Sequence, residues 1–338
     1  MRNPVEETKI LESIAIVQQG NVPYQTIFTT QESLEGKNEF LFFIKPEITL
    51  PNSTVNLASI LRMILEKLDG FELSIKNINV LSASYLKEYN IIAQHYGVIN
   101  SIATDARKNL SESAFEKFEA IYGKKAEDCN LMGGVEFLEK YPTFNALSLD
   151  FLWQNKENKK LAGGTYCEDI KMDGEVIHLV NGFHPRQLVH FTEAGRSIVV
   201  FTLVSDLSWT DARNKLIGST NPAKAESSSI RRNLLDNCEA FGLAEVSQGV
   251  NGVHLSAGPV EGLVELVRYN SNFADTSAVK TIADFAFGKM LTNNFSEAQI
   301  TAILANENVN YEGKTISIFD LTEEKDSDEA IALLKQVL

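Results

Sequence analysis

Cysteine is scarce in this sequence. Cys129, Cys167 and Cys238 are the only three among 338 residues, far apart and without a C-x-x-C spacing. That excludes a disulfide framework and a zinc site of the usual spacing, and it points to thiols in a reducing compartment. Positive charge is in deficit as well: 31 Lys and Arg face 45 Asp and Glu, for a net charge of -14. Such a surface repels nucleic acid and anionic membranes, so neither is an expected partner. A small anion remains admissible if a few Lys and Arg converge locally. No stretch approaches ~18 apolar residues, so no membrane span is expected, and the first twenty residues hold no continuous apolar run. The expected location is the cytoplasm. The common phosphate-binding sequences are also missing. There is no G-x-x-x-x-G-K-[ST], no G-x-G-x-x-G between a strand and a helix, and no H-R-D with D-F-G. Nucleotide chemistry, if present, runs by another route.

What is there is an interleaving of short strands and helices. Residues 1–36 read as a helical arm followed by a polar turn region, and EFLFFI at 39–44 as a buried strand ended by Lys45-Pro46. Residues 55–69 carry apolar positions at helical spacing, with Asn52, Ser53 and Thr54 as cap candidates and Gly70 as the stop. Residues 71–82 alternate as a half-exposed strand, and 84–96 return to helical spacing with Ser84 as a cap candidate. A different pattern fills about 100–180: a capped helix, Gly133-Gly134, a Lys- and Asn-rich turn, and a hairpin turning at Asp173-Gly174. From Pro185 the chain reads helix, strand (196–204) and helix (LSWTDARNKLIG). A loop with Thr220-Asn221-Pro222, a strand ending near His254 and a helix opened by Pro259 follow. Further helices and a hairpin fill 277–338. The order predicts an α/β sandwich of the ferredoxin-like, α+β type, with helices on a four-stranded antiparallel sheet and an inserted subdomain. The expected division is an extension at 1–38, a core at 39–99 and 181–270, the insertion at 100–180, and a second extension at 271–338.

The segment GVNGVHLSAGPVEGLVEL holds Asn251, His254 and Ser256, with Glu265 eleven residues after the histidine. It resembles the N-x-x-H-x-S signature of nucleoside diphosphate kinases, with Leu255 and Ala257 in place of the common Gly and Asp. Other pieces of that family's pattern occur in its order: a strand followed by Lys45-Pro46, His95-Tyr96 at a helix end, Thr220-Asn221-Pro222, then Ile230-Arg231. The resemblance covers roughly 39–98 and 182–269. Asn214 stands where it would put a second phosphate-binding Arg, with Arg213 beside it. The base-stacking aromatic falls at Phe183 or His184.

The resemblance implies a phosphotransferase that exchanges the γ-phosphate between nucleoside tri- and diphosphates through a phosphohistidine. His254 would be the nucleophile, and a carboxylate on its other ring nitrogen, Glu265, would fix the tautomer. Lys45, Arg231 and Arg213 would hold phosphate oxygens, with Lys45 also serving catalysis. Thr220, Tyr96, Asn251 and Ser256 would add hydrogen bonds, and His184 would meet the base. Mg2+ would enter with the nucleotide, so no dedicated metal site is expected. A homo-oligomer is also implied. A catalytically impaired nucleotide-binding or interaction protein on the same fold is the alternative.

Overall fold

The computed structural model describes residues 7–20, 22–30, 32–51 and 54–338. The chain divides into two compact units, one of residues 1–85 and 194–338, the other of Leu86–Glu193. The division therefore falls outside the 100–180 boundaries read from sequence. The second unit takes in the end of the first core segment and the start of the second.

The first unit is built on β1 (Tyr24–Thr29), β2 (Asn38–Ile44), β3 (Ser74–Ser82), β8 (Ser197–Ser205) and β9 (Val253–Leu255). They form one sheet in the order β1-β3-β8-β2-β9, every neighbour antiparallel. The fold is α+β as expected, but the sheet has five strands rather than four. β1 lies inside the stretch read as an arm and a polar turn. Its composition, YQTIFT, is β-branched and aromatic, which suits a pleated edge.

β2 is buried along its whole length. A strand covered on both faces reads as a continuous apolar run rather than an alternation. Phe40, Phe42 and Ile44 point to one face, where they meet Val199, Phe201 and Leu203 of β8, Ile78 and Val80 of β3, and the helices Glu7–Gln18 and Leu57–Gly70. Phe43 points the other way, towards Tyr269 of the Pro259–Asn270 helix, at 5.3 Å between ring centres.

Several local expectations need correction. The Leu57–Gly70 helix is capped by Asn56, whose side chain accepts from Ser59 N–H at 3.2 Å, not by Thr54; Asn52 and Ser53 lie outside the described residues. β3 is mostly buried rather than half-exposed. The stretch 84–96 is two short helices, Ala83–Glu88 and Ile91–His95, broken where Asn90 turns left-handed at φ 52°. Ser82, not Ser84, receives the Tyr85 N–H.

The second unit carries a four-stranded mixed sheet of β4 (Asn130–Gly133), β5 (Lys159–Ala162), β6 (Thr165–Met172) and β7 (Glu175–Val180), in the order β4-β7-β6-β5. β6 and β7 are the expected hairpin, with Asp173 (φ 52°) and Gly174 (φ 82°) both left-handed as a type I′ turn requires. Phe118, Leu131 and Cys167 pack in one cluster and Phe137, Trp153 and Ile177 in another. A two-stranded hairpin, β10 (Asn308–Tyr311) and β11 (Lys314–Ser317), lies in the C-terminal extension of the first unit. No helix among the described residues is long and apolar enough to cross a membrane.

Candidate active site

The site forms where β2 ends beside β9. The two strands pair with Phe43 opposite His254 and Ile44 opposite Val253, and Lys45 N–H continues the ladder by donating to Gly252 O at 2.9 Å. Residues opposite each other in an antiparallel pair share a face, and the Phe43 and His254 rings stack at 4.6 Å with 23° between planes. His254 Nε2 lies 3.1 Å from both carboxylate oxygens of Glu265, which is 2% exposed. With Nε2–H donating to that carboxylate, the lone pair of a neutral imidazole sits on Nδ1.

Lys45 Nζ donates to Asn251 Oδ1 at 2.7 Å. Burial pushes its ammonium down to about 8, with Glu47 opposing the shift and Arg231 adding to it. Asn251 is held in turn, its amide donating to Thr220 O and Gln248 O, both at 3.1 Å. Arg231, on the Ile230–Asp236 helix, donates to Gly218 O at 2.9 Å and to Val253 O at 3.0 Å, which braces the strand that carries His254. In a chain of net charge -14, these side chains supply local positive charge beside the His254 imidazole.

Gly252 is the pivot. Its N–H donates to Glu47 Oε1 at 2.8 Å, its φ is +79°, and an added Cβ would lie 2.4 Å from Leu234 Cδ1. Gly252→Ala is expected to cost about 1–3 kcal/mol, from left-handed strain and the clash together. A denaturant midpoint equal to that of the wild type would contradict this.

The remaining residues expected from sequence divide. Ser256 is fully buried and its hydroxyl donates to Leu41 O at 3.2 Å, so it fastens β9 to β2. Thr220 is exposed and meets the site through its carbonyl. Arg213 lies in a π-turn, Ala212–Ile217, where the expected regular helix gives way. Its guanidinium donates to Ala257 O at 3.2 Å and pairs with Glu323 and, at 3.6 Å, Glu324. Asn214 is exposed and its amide folds back onto Thr210 O. Tyr96 and His184 belong to the second unit. His184 is fully buried there, with Nδ1 3.0 Å from Gln187 Oε1 and Nε2 3.1 Å from Asn100 Oδ1, and burial lowers its pKa. That arrangement is the one a structural histidine takes, with both ring nitrogens engaged inside its own unit.

Two carboxylates given no role from sequence belong to the site. Glu47 anchors Gly252. Glu261, one helical turn before Glu265, is pushed well above the usual carboxylate range by burial and by the Glu265 charge, against the pull of Arg213. Its i−4 spacing from Glu265 was the available signal. Comparison with protein-family models and with curated proteins finds no match to this chain.

Proposed function

We propose that this chain exchanges the γ-phosphate between nucleoside tri- and diphosphates through a phosphohistidine on His254. The observation that carries the reading is the His254–Glu265 pair at the β2–β9 seam, with Lys45 and Arg231 around it. Strand order supports it too. Without β1, the sheet reads β3-β8-β2-β9, the order of a β-α-β-β-α-β sandwich with a second unit inserted between β3 and β8.

In the first half-reaction Nδ1 attacks the γ-phosphorus. The P–N bond forms, the bond to the bridging oxygen breaks, and the nucleoside diphosphate leaves with that electron pair. Positive charge grows on the ring as the bond forms, and Glu265 stabilises it through Nε2–H. In the second half-reaction a terminal oxygen of another diphosphate attacks phosphorus and the P–N bond breaks. Lys45 and Arg231 stabilise charge on the transferred group; Asn251 positions Lys45. Mg2+ arrives with the nucleotide as part of the substrate.

A second reading, nucleotide binding without turnover, is favoured by one observation: Arg213 is already engaged by Glu323 and Glu324. Incubation with ATP and CDP separates the two. CTP formation is the expected result; saturable nucleotide binding without CTP would establish the second reading instead.

A further inference from the structure

One part of the sheet face opposite the main core, across β1, β3 and β8, is polar, whereas Phe43 and Tyr269 keep the β2 side of that face apolar. Thr26 of β1, Asn77 and Asn79 of β3 and Thr202 of β8 are cross-strand neighbours on it. They form the floor of a cavity of about 360 Å3 that residues 272–285 help to wall. Asn270, at the end of the Pro259–Asn270 helix, organises that floor. Its Oδ1 accepts from Asn77 Nδ2 and Asn79 Nδ2, both at 3.0 Å, and from Thr202 Oγ1 at 3.1 Å. Thr26 Oγ1 donates to Asn79 Oδ1 at 2.8 Å, and Tyr24 OH donates to Asn270 O at 3.1 Å.

A network of this kind is costly unless fully satisfied, and apolar residues would fill the same space at less risk. It also presents hydrogen-bonding groups at fixed positions. Each amide nitrogen carries two hydrogens, and the bonds to Asn270 use one from Asn77 and one from Asn79. Thr26 and Asn77 are the accessible members of the floor, while Asn79 and Thr202, each 1% exposed, fix Asn270 and through it Asn77.

We infer that this cavity binds a neutral, polyhydroxylated small molecule, of the size of a hexose or an inositol. The volume falls in the range of small-ligand sites. Charge argues against an anion: Lys76 is already paired with Glu39 at 2.6 Å, and Lys280 is balanced in the lining by Glu32 and Asp284. Ring geometry argues against a purine or pyrimidine. Two rings line the cavity: Phe285 is 4% exposed with Lys76 Nζ 5.4 Å from its centre, and Tyr24 packs against the Tyr85 ring at 5.2 Å, its OH committed to Asn270 O. This inference does not depend on the phosphotransfer reading.

The test titrates the full chain with myo-inositol, D-glucose and D-ribose, and with adenosine and inorganic phosphate as contrasts, by calorimetry and thermal unfolding. Two variants accompany the wild type: Ala278→Leu, which fills the cavity from its wall, and Thr202→Val, which removes one floor hydroxyl at constant shape. The expected result is saturable binding of at least one polyol in the millimolar range or tighter, with a rise of a few degrees in Tm at saturation. That response should disappear in Ala278→Leu and weaken several-fold in Thr202→Val. No saturable polyol binding would overturn the assignment. So would polyol binding unchanged in both variants, or a cavity-dependent response to adenosine or phosphate alone.

Discussion

His254→Ala is expected to abolish phosphate exchange, with a fall of about 10⁴-fold or more, the scale seen when a covalent nucleophile is removed. The covalent route has no ready substitute at the seam: Arg231 stays charged, and Lys45, standing at about 8, is mostly protonated at pH 7 with its Nζ donating to Asn251. Stability should change far less. The His254 side chain is 20% exposed, so beyond its stack on Phe43 little packing is lost, but Glu265, 2% exposed, loses the bond from His254. That leaves a buried carboxylate short of a hydrogen bond, at a cost of about 1–3 kcal/mol. A variant that folds with this modest penalty and retains more than a tenth of the exchange rate would contradict the assignment. The measurement is CTP formation from ATP and CDP, beside a denaturant midpoint for each protein.

Lys45→Met is the second large effect, and its two consequences run in opposite directions. Exchange should fall by about 10²–10³-fold, because a preorganised charge aimed at the transferred group is lost. Stability at neutral pH should not fall with it. The Lys45 ammonium stands at about 8 against an ordinary 10.5 because burial disfavours its charged form. Folding therefore releases a proton between those pH values. The cost of holding the charge is present below pH 8 and fades as pH rises towards 10.5. It amounts to at most roughly 3 kcal/mol, partly offset by the loss of a counter-charge for Glu47. Lys45→Met should thus match or exceed the wild type at pH 7, and any advantage should shrink above pH 8. The catalytic counterpart is a decline of wild-type kcat/KM as pH rises through about 8, absent from the residual activity of the variant. A clear loss of stability at pH 7, or a flat wild-type profile across pH 8, would contradict this account of Lys45.

The parts of the site legible in the sequence are those that sit next to each other on strands and a single helix. EFLFFI followed by Lys45 reads as a buried strand with a cation at its mouth, and His254 with Glu265 reads as a strand residue faced by the helix that follows it. Both relations are local in topology, and both appear in the structure. Other features depend on contacts distant in sequence. The π-turn that carries Arg213 leaves no mark in the sequence, and its partners Glu323 and Glu324 are more than a hundred residues away. Glu47 carries no role in the sequence reading because nothing local says that it will accept from Gly252.

The fold shows the same division. Apolar periodicity placed β2, β8 and the Pro259–Asn270 helix, but β1 was hidden in a polar stretch because only Ile27 of its residues is buried. The break at Asn90 left no mark in the helical spacing of 84–96, since Asn adopts the left-handed conformation at modest cost. His184 shows the limit of reading a role from alignment to a pattern. Its place in the order suggests a base contact, while the structure shows it buried with hydrogen bonds to Gln187 and Asn100, partners that no spacing announces.

The most direct test of the central claim isolates the first half-reaction. The protein is incubated with ATP labelled in the γ position, without any acceptor, and the protein-bound phosphate is measured. The account predicts near-stoichiometric label that is acid-labile, located on His254, and released to CDP on its addition. Wild-type protein that binds ATP but carries no such label, or carries it equally after His254→Ala, would contradict it.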